Sequence, residues 1–252
     1  MAKAEEEQNR VERYNDNERG DRTAFPRSNR LHCSLTLLLR KLEQILRSES
    51  LPVGGTLLDY GCGNKPYRNL FSERFSNYIG ADIAGNPDAE LTLKDDGTLP
   101  SPDGSFDCVL SSQVLEHVTN PELYLREAFR VLRPGGSLVI STHGMWAYHP
   151  DPTDYWRWTI DGLQLQIKLV GFEIVIVKGV FGPESVALQL WQDSTLDRLP
   201  KLIQRPYTWF FQTLIWLIER RHPDKLSEDA SIYLVVARKP METTSESESV
   251  RL

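Results

Sequence analysis

The run TLLDYGCG at residues 56–63 constrains the fold more than any other part of the chain. Apolar side chains surround a single carboxylate, Asp59, and the run stops at Gly61 and Gly63, with Cys62 between them. A short apolar run ended by glycine reads as a buried strand feeding a tight turn. Glycines in such a turn let a ligand approach the backbone where no side chain intervenes. A second strand candidate, Tyr78–Ile83, carries Asp82 23 residues after Asp59. In a doubly wound sheet, ligands bind at the carboxyl ends of such strands, where the strand order reverses. An acid about 20 residues beyond the glycines is placed to accept hydrogen bonds from a ribose diol.

The rest of the chain supports the sheet. Leucine and isoleucine recur at helical spacing from Ser28 to Arg47, which predicts an amphipathic helix with Ser28 as its N-cap. Strands are expected at Glu90–Leu93, Phe106–Ser111, Ser137–Thr142, Phe172–Val180 and Ser231–Ala237. Helices are expected at Pro121–Leu132, ended by Arg133-Pro134-Gly135-Gly136, and at Thr159–Val170, ended by Gly171. Strands alternating with helices imply an α/β fold with a parallel sheet covered on both faces. Residues 183–229 add a block of about two helices before the last strand. Residues 28–240 form one domain on this reading. Residues 1–27, dense in charges of both signs, read as a flexible tail or lid, and 241–252 as a disordered tail.

Composition narrows the class. The 252 residues carry a net charge of −6, which argues against a general nucleic-acid binder. Three widely spaced cysteines form no disulfide scaffold and no zinc signature, and fit a reducing cytoplasm. No metal is expected. The leading residues show no apolar signal segment, and no apolar run reaches the ~20 residues that span a bilayer. A cytoplasmic protein is the expectation.

Two cofactors suit the glycine turn. A dinucleotide needs a pyrophosphate seat, and here Pro66 stands where the third glycine of GxGxxG would be. S-adenosylmethionine has no phosphate and needs no such seat. Downstream come DDGTLP at 95–100, DGSFDCVL at 103–110, SSQVLEHV at 111–118 and RVLRPGG at 130–136. In this order the motifs, which cover about residues 55–142, resemble the type 11 branch of the class I S-adenosylmethionine-dependent methyltransferases. The resemblance implies a Rossmann-like, doubly wound seven-strand sheet with an antiparallel last strand. It implies that Asp59 and the Gly61–Gly63 backbone flank the methionine end of the cofactor. Asp82, with Ile83 after it, would hold the ribose hydroxyls. Asp95, or Asp96 in the alternative register, would receive the adenine amino group. Gln113 would stand near the sulfonium. The chain departs from the family at Lys65, where many members carry a third glycine; this lysine points at the cofactor carboxylate or at solvent.

A second feature follows the fifth strand. Five of the fourteen residues 145–158 are aromatic, too many for a solvated connection. Aromatic walls suit a sulfonium or a ring-bearing acceptor. His143, His149 and His117 cluster after strands four and five and are candidates for a general base, oriented by Asp154 or Asp151. The segment also resembles a subset of the family linked to glycan or surface-polymer modification. The plainer readings stand beside these: Trp156 and Trp158 anchoring the next helix, Thr159 capping it, Arg157 as an ion-pair partner, and Glu116 as a structural acid.

The expected function is transfer of a methyl group from S-adenosylmethionine to oxygen or nitrogen of a small-molecule or glycan-type acceptor, leaving S-adenosylhomocysteine. A non-catalytic binding module is the alternative. Residues 198–222 carry five basic groups against Glu219, together with Tyr207, Trp209, Phe210, Phe211 and Trp216. They read as a cap, as a homodimer face, or as a membrane-surface segment serving a lipid-linked acceptor.

Overall fold

A computed structural model describes residues 26–150, 153–221 and 228–241. Its centre is a seven-strand sheet. In chain order the strands are β1 (Thr56–Tyr60), β2 (Asn77–Asp82), β3 (Leu91–Thr92), β4 (Phe106–Ser112), β5 (Leu132–His143), β6 (Glu173–Val180) and β7 (Ile232–Arg238). Across the sheet they run β3-β2-β1-β4-β5-β7-β6, and β7 is antiparallel to both of its neighbours. This is the seven-strand sheet with an antiparallel last strand that the resemblance implies.

The helices are α1 (His32–Leu46), α2 (Arg68–Phe71), α3 (Pro121–Val131), α4 (Ile160–Leu169), α5 (Pro183–Leu196) and α6 (Lys201–Glu219). Alternation along each strand sends neighbouring side chains to opposite faces. Leu58, Tyr60 and Val109 therefore pack with Leu125 and Ala128 of α3 and Leu163 and Ile167 of α4. Leu57, Cys108 and Leu110 pack on the other face with Leu38, Leu42 and Ile45 of α1 and Ile215 of α6. The strand interiors are apolar toward both sides because both faces are covered.

Three local expectations change. α1 starts at His32, and its first turn has no side-chain cap from Ser28. The Asn29 side chain instead accepts from the Leu31 N–H at 2.9 Å, which holds residues 26–31 in turns. β5 begins at Leu132, so the Arg133–Gly136 stretch lies within the strand. It does so irregularly: Phe106 pairs with Leu132 and Cys108 with Ser137, so five residue steps on β5 match two on β4. A bulge of that size uses the same Pro-Gly-Gly chemistry as a turn. The third change is at Lys65, whose backbone takes φ +55°, the left-handed region that glycine favours. Its side chain is buried, packs over Gly80 and pairs with Glu90. Both orientations expected for this lysine are thereby replaced.

Residues 1–25, 151–152, 222–227 and 242–252 lie outside the described residues, and with them most of the expected tails and Asp151.

Candidate active site

The carboxyl ends of β1, β4 and β5 open into one cleft of about 1080 Å³. Asp59, Gly61–Gly63 and Gln113 line one wall. His117, His143, Trp146 and His149 line another. The start of α1 and the α5 residues Leu190 and Trp191 complete it.

The glycine turn is built by close packing. Gly61 has φ +80°, and a Cβ there would lie 2.6 Å from a methyl of Val114. Only glycine fits both the dihedral and the space. Asp59 is buried and accepts from the Tyr78 hydroxyl. Burial, with the Asp59 and Asp82 carboxylates beside it, pushes the Cys62 thiol up, so Cys62 is a neutral wall residue.

Asp82 ties β2 to the turn. One oxygen accepts from Gly63 N–H at 2.8 Å and from the Asn86 amide at 2.7 Å; the other accepts from Ile83 N–H at 2.8 Å. A carboxylate offers about four lone-pair sites, so three bonds leave room for a hydroxyl donor. Ile83 beside it is 46% exposed, an apolar surface next to the Asp82 carboxylate. Asp96 is turned into its own loop, accepting from Thr98 N–H and Oγ1. Those bonds hold its carboxyl below the usual range. Asp95 is exposed. Asp82, Ile83, Asp95 and Asp96 sit outside the cleft walls, across the glycine turn.

Gln113 follows β4 with φ +59°. Its N–H donates to the Ser141 carbonyl at 2.9 Å, and its side-chain amide donates to Ser141 Oγ at 3.0 Å. Strain of this kind persists only where the surroundings over-determine it, and it clusters at functional sites.

The histidines converge. His117 and His149 ring centroids lie 5.8 Å apart, and His143 and His149 6.0 Å. His143 stacks on Trp146 at 4.8 Å with 4° between the planes. Burial pushes the His143 pKa well below 6.5, and the Arg157, His149 and His117 charges add to this, so its ring is neutral. His117 Nδ1 lies 2.6 Å from the Thr153 carbonyl. A carbonyl can only accept, so Nδ1 carries the proton and the lone pair of the neutral ring is on Nε2.

Asp154 accepts from the His149 backbone N–H at 2.8 Å and is gripped by Arg157. Burial works to raise its pKa, but these bonds hold it below the usual range. Arg157 also donates to the Trp146 and Ala147 carbonyls. The pair therefore shapes the histidine loop through its main chain. Trp156 Nε1 donates to the Val118 carbonyl at 2.7 Å, and Thr159 caps α4 by accepting from Gly162 N–H.

Glu116, read from the sequence as a structural acid, has an environment that the sequence does not reveal. It is fully buried under the cleft floor and accepts from Thr142 Oγ1 at 2.8 Å. Its Oε1 lies 3.2 Å from His143 Nδ1, and neither of these two buried atoms has a hydrogen-bond partner among the described residues. Burial pushes Glu116 up to about 7. A glutamine network was missed altogether. Gln212 on α6 and Gln189 on α5 both donate to the Arg30 carbonyl at 3.0 Å, and Gln212 Oε1 accepts from Cys33 N–H. It pins the start of α1, and so one cleft wall, to the inserted helices. The only trace in the sequence is the break that Gln212 makes in an apolar run.

These features, a glycine turn after β1 and a single cleft at the carboxyl ends of β1, β4 and β5, are those of a ligand-binding α/β fold. The methyltransferase-domain family model matches residues 30–175, and the chain belongs to this family of class I S-adenosylmethionine-dependent methyltransferases. An uncharacterized methyltransferase of a Mycobacterium species is 38% identical over 103 residues, 37% of this chain and 41% of that protein. The 2-methyl-6-phytyl-1,4-hydroquinone methyltransferase of Synechocystis is 30% identical over 122 residues, 43% of this chain and 38% of that protein. The chain spans between 30% and 56% of the length of the first curated relatives it matches. Among solved structures, phosphoethanolamine N-methyltransferase 2 of Haemonchus contortus, in complex with S-adenosyl-L-methionine, superposes with a TM-score of 0.52. It is 17% identical, with 81% of this chain and 53% of that chain covered, which is a likeness of fold.

Proposed function

We propose that this chain transfers a methyl group from S-adenosylmethionine to an oxygen of a ring-bearing small-molecule or glycan-type acceptor. One observation carries the reading: a single cleft joins the glycine turn to a wall of three histidines and Trp146. The bound cofactor supplies an electrophilic methyl on a sulfonium. Asp59 and the turn backbone receive its amino-acid end, Asp82 its ribose diol, Ile83 the face of its adenine and Asp95 the adenine amino group. The chain's main task is to hold the acceptor in line, since positioning alone supplies a large part of such a barrier. Trp146 and Tyr148 offer ring faces for the acceptor.

A hydroxyl acceptor must lose a proton as it attacks. His117 is the base in this reading, because its tautomer presents Nε2 as the acceptor. His143, neutral and paired with Glu116, is a positioning residue, and Asp154 acts through the shape of the loop. His149 bridges the other two rings.

Calorimetric titration with S-adenosylmethionine and S-adenosylhomocysteine, with NAD as control, tests the cofactor half. Micromolar binding of both sulfur ligands and none of NAD is expected. Single-turnover assays across ring-bearing hydroxyl acceptors test the rest. His117→Ala should keep cofactor affinity and lose about 10²–10⁴ in rate. An unchanged rate would reject the base.

A further inference from the structure

The outer face of α6 is not explained by methyl transfer. Phe211, Gln212 and Ile215 face the protein interior. On the opposite side, Leu202, Ile203, Trp209, Phe210 and Leu217 are all exposed, Trp209 by 52% and Phe210 by 57%. At 100° per residue these five, with Pro206, fall on one stripe. The stripe runs roughly 22 Å along the helix at 1.5 Å per residue. An apolar stripe of this length, interrupted only by Thr213 between Phe210 and Leu217, marks a contact surface.

Its rim is basic. Lys201, Arg205, Arg220 and Arg221 are exposed around it, with Arg198 just before the helix. The single acid, Glu219, accepts from the Gly182 N–H. Arg220 lies over the Trp216 ring at 4.4 Å. This concentration of positive charge occurs in a chain whose net charge is −6.

We propose that the outer face of α6 docks on an anionic lipid surface, with Trp209 and Phe210 in the headgroup–acyl boundary and the basic rim against lipid phosphates. Exposed aromatics flanked by Lys and Arg on one helix are the signature of interfacial binding. Among the described residues no helix is long and apolar enough to cross a membrane, so the contact is one of lying on the surface. A second copy of the chain fits less well: a two-fold contact would set one basic rim against another. Residues 1–25, rich in charge with Met1, Val11, Tyr14 and Phe25 their only large apolar side chains, offer too little to cover the stripe.

α6 packs on α5, whose exposed Leu190 and Trp191 line the cleft. A lipid-borne acceptor delivered to the cleft is the consequence, and this clause alone rests on the proposed transfer activity.

The test is flotation of the full chain with vesicles of phosphatidylcholine alone and of phosphatidylcholine mixed with phosphatidylglycerol. Co-flotation with the mixed vesicles only is expected, weakening as salt rises to about 0.5 M. Trp209→Ser with Phe210→Ser should weaken binding about tenfold or more. Lys201→Gln with Arg205→Gln should weaken it roughly fivefold per residue, with unchanged affinity for S-adenosylhomocysteine. No co-flotation overturns the proposal, as does retention by both variants. Light scattering that shows a wild-type dimer made monomeric by the aromatic variant also overturns it and assigns the face to self-association. None of these readouts depends on methyl transfer, so docking and catalysis fail separately.

Discussion

Glu116→Gln should flatten a pH dependence that the wild-type protein carries in its stability. Burial raises the Glu116 carboxyl from an ordinary value of 4.5 to about 7. Below 4.5 the folded and unfolded chains both hold the proton. Between 4.5 and 7 the folded chain keeps it and the unfolded chain has released it. Stability therefore falls as pH rises through this window and levels off above it. A shift of this size, at about 1.4 kcal/mol per unit, makes the loss about 3 kcal/mol. Glutamine has the same shape and does not titrate. Its oxygen still accepts from Thr142 Oγ1, and its amide takes the place of Oε1, 3.2 Å from His143 Nδ1. Urea unfolding of both proteins from about pH 4 to about pH 8 isolates the effect, because the groups common to both chains cancel in the difference. The stability of wild type relative to variant should drop by about 3 kcal/mol across that range. A difference that stays constant within about 0.5 kcal/mol would refute the assignment of a buried, proton-holding Glu116.

Asp82→Ala removes an acceptor of Gly63 N–H and of the proposed ribose diol, so calorimetry should show S-adenosylhomocysteine binding weakened by about 2–3 kcal/mol, and an unchanged Kd would reject the diol role. Gly61→Ala forces a Cβ to 2.6 Å from Val114 at φ +80°, and thermal melting should show a loss of about 2 kcal/mol or more. Adding Val114→Ala should recover part of that loss, and no recovery would mean that the dihedral, not the clash, dominates. Arg157→Ala frees the Trp146 and Ala147 carbonyls and the Asp154 carboxylate, so it should lower turnover while leaving cofactor affinity intact; a matching loss in cofactor affinity would show that the loop serves the other half of the cleft.

What could be read from the chain alone was set by short-range chemistry. The two glycines, Asp59 and Asp82 mark the edge proposed here for the cofactor, because a tight turn and a strand end each need particular residue types at particular offsets. The alternation of strands and helices follows from hydrophobic period, and Thr159 announces its own helix start. The order of motifs from 95 to 136 identified the family. Element ends were less legible: Ser28 is as good a cap residue as Thr159, and only the competing Asn29 bond to Leu31 N–H moves the start of α1. The Arg133–Gly136 run reads as a turn because its residues are turn residues, yet pairing with β4 and β7 draws it into a bulged strand. Lys65 reads as a departure from a glycine pattern, while the fold keeps the glycine dihedral and gives the side chain a partner in Glu90.

The site's second half was decided by three-dimensional packing. Glu116 and His143 are 27 positions apart, and their electrostatics arise from burial together, which no local pattern encodes. The same holds for Gln189 and Gln212, which meet at the Arg30 carbonyl from two different helices. The tautomer of His117 is set by a carbonyl 36 residues away. Local sequence specifies which groups are available and the period of the element that carries them; the protonation state and reach of each group depend on what the finished fold takes out of water around it.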